Sequence, residues 1–168
     1  TGVDAPVDKL PKTEEETEKK LVSILRDGQP IVVLDNATGK IERDSLNAVL
    51  TSTRYAGRLL GKSEMVKLPN QSTWIMTGNN VDLSGDIHRR VCWIRLNAGV
   101  DKPYLRKNRE FLHPDLLHWI KENRGMLIWA VLTLIQNWVD RGKPTGKEKL
   151  GSFESWASVI GGIFQATN

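Results

Sequence analysis

The chain sorts into blocks of apolar and polar positions that predict its elements in turn. Residues 1–12 (TGVDAPVDKLPK) carry two prolines and no period, as in an extended arm. From Thr13 the pattern becomes helical. Thr13-Glu14-Glu15-Glu16 reads as a capping box, and its acidic first turn suits the positive end of the helix dipole. Leu21, Ile24 and Leu25 give one apolar stripe, and Asp27-Gly28 closes the helix. Pro30 then opens the run Ile31–Leu34, ending at Asp35-Asn36, which fits a strand buried on both faces. Ser45 is expected to cap a helix through Leu46, Val49 and Leu50. Residues 54–70 are basic and broken by Gly57, Gly61 and Pro69, which suggests a β-hairpin or a protruding loop. A second apolar run, Trp74-Ile75-Met76, ends in the polar tip Thr77-Gly78-Asn79-Asn80. Ser84-Gly85-Asp86 and a short helix lead to Arg89-Arg90, and a third apolar run, Val91–Leu96, is expected to be a strand.

The last third changes period. After a polar linker with Pro103, His113-Pro114-Asp115 starts a helical region in which Leu116, Leu117 and Ile120 form one stripe. Leu127, Ile128, Val131, Leu134, Ile135 and Trp138 continue at helical spacing until Gly142 and Pro144 stop it. Residues 152–164 (SFESWASVIGGIF) predict a final amphipathic helix whose end Gly161-Gly162 weakens. The organisation expected is an arm (1–12), an α/β core with parallel strands (13–100) and a small all-helical unit (101–168).

Composition narrows this only a little. At 168 residues the chain fits one domain or a small core with an appendage. Six tryptophans all fall in apolar runs, where core filling is the expectation for each. Cys92 is the single cysteine, so no internal disulfide forms, and His88, His113 and His118 show no metal-ligand spacing with it. No signal peptide and no membrane-spanning run is visible, which points to a cytoplasmic setting. The net charge is +4, and its excess lies after residue 100, where ten Lys/Arg face seven Asp/Glu. That balance permits contact with nucleic acid without demanding it.

Three features carry candidate chemistry. Asp35 at the end of a buried strand is placed to bind Mg²⁺, because hard cations prefer carboxylate oxygens. Arg54, Arg58, Lys62 and Lys67 make the 54–70 segment a candidate DNA contact, with a solvated basic loop as the alternative. Residues 56–63 (AGRLLGKS) satisfy a relaxed phosphate-loop pattern with Ala in place of the first Gly. A working phosphate loop follows a buried strand and opens a helix, so that backbone N–H groups meet the phosphates. Residues 52–55 make a poor buried strand and Pro69 cuts the following segment short, so the pattern lacks its context.

Taken in order, Asp35-Asn36, Thr77-Gly78-Asn79-Asn80 and Asp86-Ile87-His88-Arg89-Arg90 resemble the motifs of an AAA+ ATPase, a P-loop NTPase. The similarity is closest to the helicase-like ATPases of phages and mobile elements. It covers roughly residues 13–164 and includes the GSFESWASVIGG stretch near the C-terminus. The resemblance implies ATP and Mg²⁺ as cofactors, with Asp35-Asn36 as Walker B. Asn79 first, and Asn80 second, would position the attacking water as sensor 1, although Asn-Asn also suits an Asx turn. Arg89 and Arg90 would supply an arginine finger to a neighbouring subunit, hence a homo-oligomer; a cationic helix cap is the other use of such a pair. The helical tail would be the lid, with a sensor-2 arginine among Arg106, Arg109 and Arg124.

Two departures follow. Walker B usually ends Asp-Glu, whereas Asn36 cannot take up a proton, so Glu42 or Asp44 would have to serve or hydrolysis would be slow. No contextual Walker A is present, so the chain is expected to be an incomplete AAA+ core followed by the lid, inactive alone. In the AAA+ strand order 5-1-4-3-2, the absent first strand would separate Thr73–Met76 from Val91–Leu96. Val91–Leu96 should therefore pair with Thr73–Met76 or with another chain. Two other classes compete: a non-enzymatic DNA-binding module using the basic loops and helical tail, and an interaction domain without chemistry.

Overall fold

The structure, a computed structural model, describes residues 5–59, 61 and 64–167. It divides into two compact units, Thr1–Val91 and Cys92–Asn168.

The first unit is built on three parallel strands, β1 (Val7–Asp8), β2 (Ile31–Ile41) and β5 (Thr73–Leu83), in the order β1-β2-β5. Parallel neighbours need crossovers. The first is α1 (Glu14–Arg26); the second contains α2 (Asp44–Thr51) and an antiparallel hairpin, β3 (Arg54–Arg58) with β4 (Met65–Pro69). Strand β1 arises inside the stretch read as an arm, where Val7 and Asp8 pair with Val33 and Leu34.

The α/β character and the parallel strands are as expected, but burial is one-sided. Val32 and Leu34 are buried with Ile24, while Leu21, Val22 and Leu25 of α1 join Leu46 and Val49 of α2, Ala37 and Ile41 of β2, and Ile87. Neighbouring strand residues point to opposite faces. The opposite row therefore runs across the register partners Val7, Val33 and Ile75, with Val7 64% and Ile75 46% exposed. The expectation that Ile31–Leu34 is buried on both faces is not met, because α1 and α2 cover only one.

Caps define the helices. Thr13 accepts from the Glu16 amide at 3.3 Å, as the capping box predicts, while Glu16 Oε2 reaches back to the Thr13 hydroxyl at 2.9 Å rather than to its backbone N–H. Ser45 does not cap α2. It lies inside the first turn, its Oγ has no partner, and its amide donates to Glu14 Oε1 at 2.7 Å, so α1 supplies the cap. At the other end of α2, Asn70 Nδ2 donates to Val49 O at 2.6 Å and to Ser52 O at 3.0 Å, while its own oxygen accepts from Trp74 Nε1 at 3.2 Å. Asn70 thus fixes the entry to β5 against the end of α2.

The hairpin occupies the basic segment. Tyr55 points inward, and a Cβ at Gly57 would lie 2.3 Å from Val22 Cγ2, so the glycine permits close docking on α1. Ala56-Gly57-Arg58 of the phosphate-loop look-alike lie in β3, and the next element is another strand. Lys62 and Ser63 fall outside the described residues.

Val91–Leu96 forms no strand, which corrects the third-strand expectation and the pairing expected with Thr73–Met76. A strand needs a hydrogen-bonded neighbour to satisfy its backbone. Among the described residues no strand pairs with this run, and Ile94 and Leu96 stay 80% and 93% exposed.

The second unit contains α3 (Leu116–Asp140), α4 (Glu154–Gln165) and short 3-10 turns, with no strand among its described residues. Asp115 caps α3 by accepting from the His118 amide at 3.0 Å, and Gly142, at φ 78°, ends it as expected. Helix α4 runs through Gly161-Gly162 rather than fraying there, because these glycines carry a close approach. A Cβ on Gly162 would lie 1.9 Å from Pro144 O, the oxygen that accepts from Trp138 Nε1 at 2.8 Å. Core filling by tryptophan is not general: Trp93, Trp129 and Trp156 are exposed, since two helices leave much apolar surface uncovered. Among the described residues no helix is long and apolar enough to cross a membrane.

Candidate nucleotide site

The strongest constellation lies where β2 and β5 lose their regular register. The sequence suggests that both strands stop there, at Leu34 and Met76. Instead the two strands continue side by side to Ile41 and Leu83, with irregularities between Leu34 and Ala37 and between Thr38 and Gly39. Leu34 pairs with Met76 and Ala37 with Gly78, so Asp35 and Asn36 together face Thr77, the two-against-one count of a bulge. The Thr77 hydroxyl donates to Asp35 Oδ1 and accepts from the Asn36 amide at 3.0 Å. One hydroxyl therefore ties the two candidate motifs together.

Each residue of the tip then has a physical reason. A Cβ on Gly78 would meet Ala37 O at 2.4 Å and Val81 Cγ2 at 2.3 Å, so only glycine lets the strands approach here. Asn80 is the extra residue of the second bulge, because Thr38 pairs with Asn79 and Gly39 with Val81. Its φ of 52° is left-handed, a conformation asparagine tolerates. Asn36 has φ 57°. A glutamate there would cost about 1–2 kcal/mol in backbone conformation that asparagine is largely spared. Backbone geometry thus accounts for Asn36 and Asn80. It does not account for Asn79, which is exposed and in register with Thr38.

Asp35 is exposed beside this bulge, and among the described residues no group of three or more His, Cys, Asp or Glu could hold a metal. A single carboxylate still fits Mg²⁺, which keeps several waters and takes its remaining ligands from substrate phosphates. Glu42 is a poor substitute base for this place. Lys40, at 2.8 Å, hydrogen-bonds it and holds its carboxyl below the usual range, and seven residues of extended strand separate it from Asp35 by about 20 Å. Asp44 is the first residue of α2, farther along still.

The arginine pair sits on a 3-10 turn, Gly85–Arg90, pinned by Ile87, which is 1% exposed. Ser84 ties the start of the turn to β2, its amide donating to Ile41 O at 3.2 Å. Arg89 ion-pairs with Asp86, whose carboxyl the Arg89 hydrogen bond and charge hold below the usual range. Arg90 donates to Asn47 O at 2.6 Å, so it ties the turn to α2 rather than capping the short helix that the pair ends. No sequence pattern singles out Thr77 or Asp86 as linking residues, though both lie inside the motifs quoted above.

The remaining candidates are dispersed. Arg54, Arg58 and Lys67 are exposed on the hairpin, on the face opposite Tyr55. In the second unit Arg106 donates to Ala98 O at 2.6 Å and lies 5.7 Å over the Phe111 ring, while Arg109 and Arg124 are exposed. Comparison of the chain with protein-family models, curated proteins and solved structures finds no match.

Proposed function

We propose that this chain supplies the Walker B, sensor-1, arginine-finger and lid parts of an oligomeric AAA+ ATPase of the helicase-like kind found in phages and mobile elements. The observation that carries this is the adjacency of Asp35 and Thr77-Gly78-Asn79-Asn80 on two parallel, hydrogen-bonded strands, linked through the Thr77 hydroxyl. The order β1-β2-β5 supports it, since it corresponds to positions 2-3-4 of the AAA+ order 5-1-4-3-2. So does the free edge of β5 among the described residues, beside the uncovered row Val7-Val33-Ile75, where a phosphate-loop strand and its helices would pack.

In this reading Asp35 would hold Mg²⁺ together with nucleotide phosphates, and the ion would offset charge on the transferring phosphoryl group. Asp35 keeps its carboxylate aimed by the Thr77 hydroxyl, Asn79 orients a water, and Arg89 reaches a neighbouring subunit. The sensor-2 arginine expected of a lid is one of Arg106, Arg109 and Arg124. Asn79→Ala is expected to lower ATP turnover by the complete ATPase about 10²-fold, the scale of losing one positioned polar group. Turnover unchanged by Asn79→Ala in a folded protein would remove Asn79 from the mechanism.

The basic hairpin face favours DNA as a further partner. Arg54 and Arg58 flank Ala56, whose register partner is Lys67, so three cations share one exposed surface. Each contact to a single-strand phosphate contributes about 0.7 to the slope of log affinity against log salt. Lys67→Ala is expected to reduce that slope by about this amount in a filter-binding titration; an unchanged slope excludes Lys67 from the contact.

A further inference from the structure

Arg89 and Arg90 are neighbours in sequence with different surroundings. The Arg90 side chain is 24% exposed and the Arg89 side chain 77%. Arg90 Nη1 donates to Asn47 O at 2.6 Å and to Thr51 Oγ1 at 3.3 Å, at the carbonyl end of α2, where the helix dipole favours a cation. Its other terminal nitrogen lies 3.7 Å from Asp86 Oδ2. Arg89 is held through Asp86 Oδ1. One carboxylate therefore spans both guanidinium groups, one anchored and one exposed.

We infer that the two arginines have separate roles. Arg90 is a positioning residue that clamps the 3-10 turn to α2, and Arg89, steered by Asp86, is the cation that meets an anionic oxygen of a partner. Under the ATPase reading, on which this rests, that oxygen belongs to a phosphate on the neighbouring subunit. Ile87 fixes the turn from inside and Arg90 from the side, so the base of Arg89 does not wander. The Asp86–Arg89 pair is solvent-exposed, and such pairs are weak enough to exchange. A phosphate accepts two parallel N–H bonds from a guanidinium and carries more charge, so it displaces Asp86. Arg90 has less freedom, because leaving would give up its hydrogen bonds to Asn47 O and Thr51 Oγ1 as well as its ion pair with Asp86.

The test uses two readouts. Amide hydrogen exchange over residues 85–91 is measured in the 168-residue chain, and ATP turnover is measured in the complete ATPase. Arg89→Ala is expected to leave exchange unchanged and to lower kcat about 10³-fold or more. Arg90→Ala is expected to speed exchange about tenfold or more, because it loses charged hydrogen bonds to Asn47 O and Thr51 Oγ1, and to lower kcat as a consequence. Arg90→Lys, which reaches one acceptor rather than two, should fall between wild type and Arg90→Ala in both readouts, and it is the variant read if Arg90→Ala does not fold. Unchanged exchange in Arg90→Ala, or full turnover in Arg89→Ala with turnover lost in Arg90→Ala, overturns the division of labour. Faster exchange in Arg90→Ala, with ATP turnover absent from the wild-type protein as from every variant, keeps the clamp and overturns the ATPase reading.

Discussion

Gly162→Ala is expected to destabilise the helical unit by about 2–4 kcal/mol, whereas Gly161→Ala, one residue earlier on the same helix, is expected to be close to neutral. Both changes gain about 1 kcal/mol of helix propensity. The difference lies in what the new methyl meets. At Gly161 the nearest atom is Gly146 Cα at 3.0 Å, which a small shift of the 142–150 loop relieves. At Gly162 the methyl would sit 1.9 Å from Pro144 O, and Trp138 Nε1 would lie 3.0 Å away. Relief there means moving the carbonyl that accepts from Trp138, leaving the indole N–H without a partner. Overpacking against backbone and a lost part-buried hydrogen bond together outweigh the propensity gain. Thermal unfolding followed by circular dichroism compares the two variants. Equal midpoints would mean that the loop does not seat on α4 as described.

Asp35→Asn is expected to keep the fold and abolish nearly all turnover in the complete ATPase, by about 10³-fold. An asparagine presents a carbonyl oxygen in the same place, so the hydrogen bond from the Thr77 hydroxyl survives and the β2–β5 bulge with it. What is lost is the negative charge that a hard cation requires. Mg²⁺ titration of the variant separates the two effects: a raised Mg²⁺ requirement with unchanged unfolding points to the metal. Wild-type turnover at low Mg²⁺ would show that Asp35 is an ordinary strand residue.

The parts of the fold that depend on local signals are legible in the sequence. Thr13 and Glu16 announce the start of α1, Gly28 its end, and Asp115 and Gly142 the limits of α3, because caps act within one turn. The glycines of residues 54–70 also show that no helix forms there, though they leave a hairpin and a loop as alternatives. What depends on strand partners is not. Asp35-Asn36 and Thr77-Asn80 read as strand ends because polar residues at a tip and polar residues in a bulge look alike without the neighbouring strand. Ser45 looks like a cap because nothing local reveals that Glu14, in another helix, takes that role. Val91–Leu96 has the composition of a strand, yet composition cannot supply the hydrogen-bonded neighbour that a strand requires.

At the site, the residue types are visible in the sequence and their reasons are not. Asn36 and Asn80 attract attention as chemistry, but both hold positive φ, and the bulges explain them. Thr77 and Gly78 pass as framework, although one joins the two strands and the other lets them approach. Asn79 is the member of the set that the backbone leaves unexplained.

In the proposed ATPase, Asp35 acts on a subunit's own nucleotide and Arg89 on its neighbour's. Mixing two variants of the complete ATPase tests this directly. Asp35→Asn and Arg89→Ala subunits should each be inactive alone. Mixed, they should recover part of the turnover, because an Arg89→Ala subunit keeps an intact Asp35 and receives Arg89 from an Asp35→Asn neighbour. Mixtures that assemble and remain as inactive as either variant would contradict the proposal.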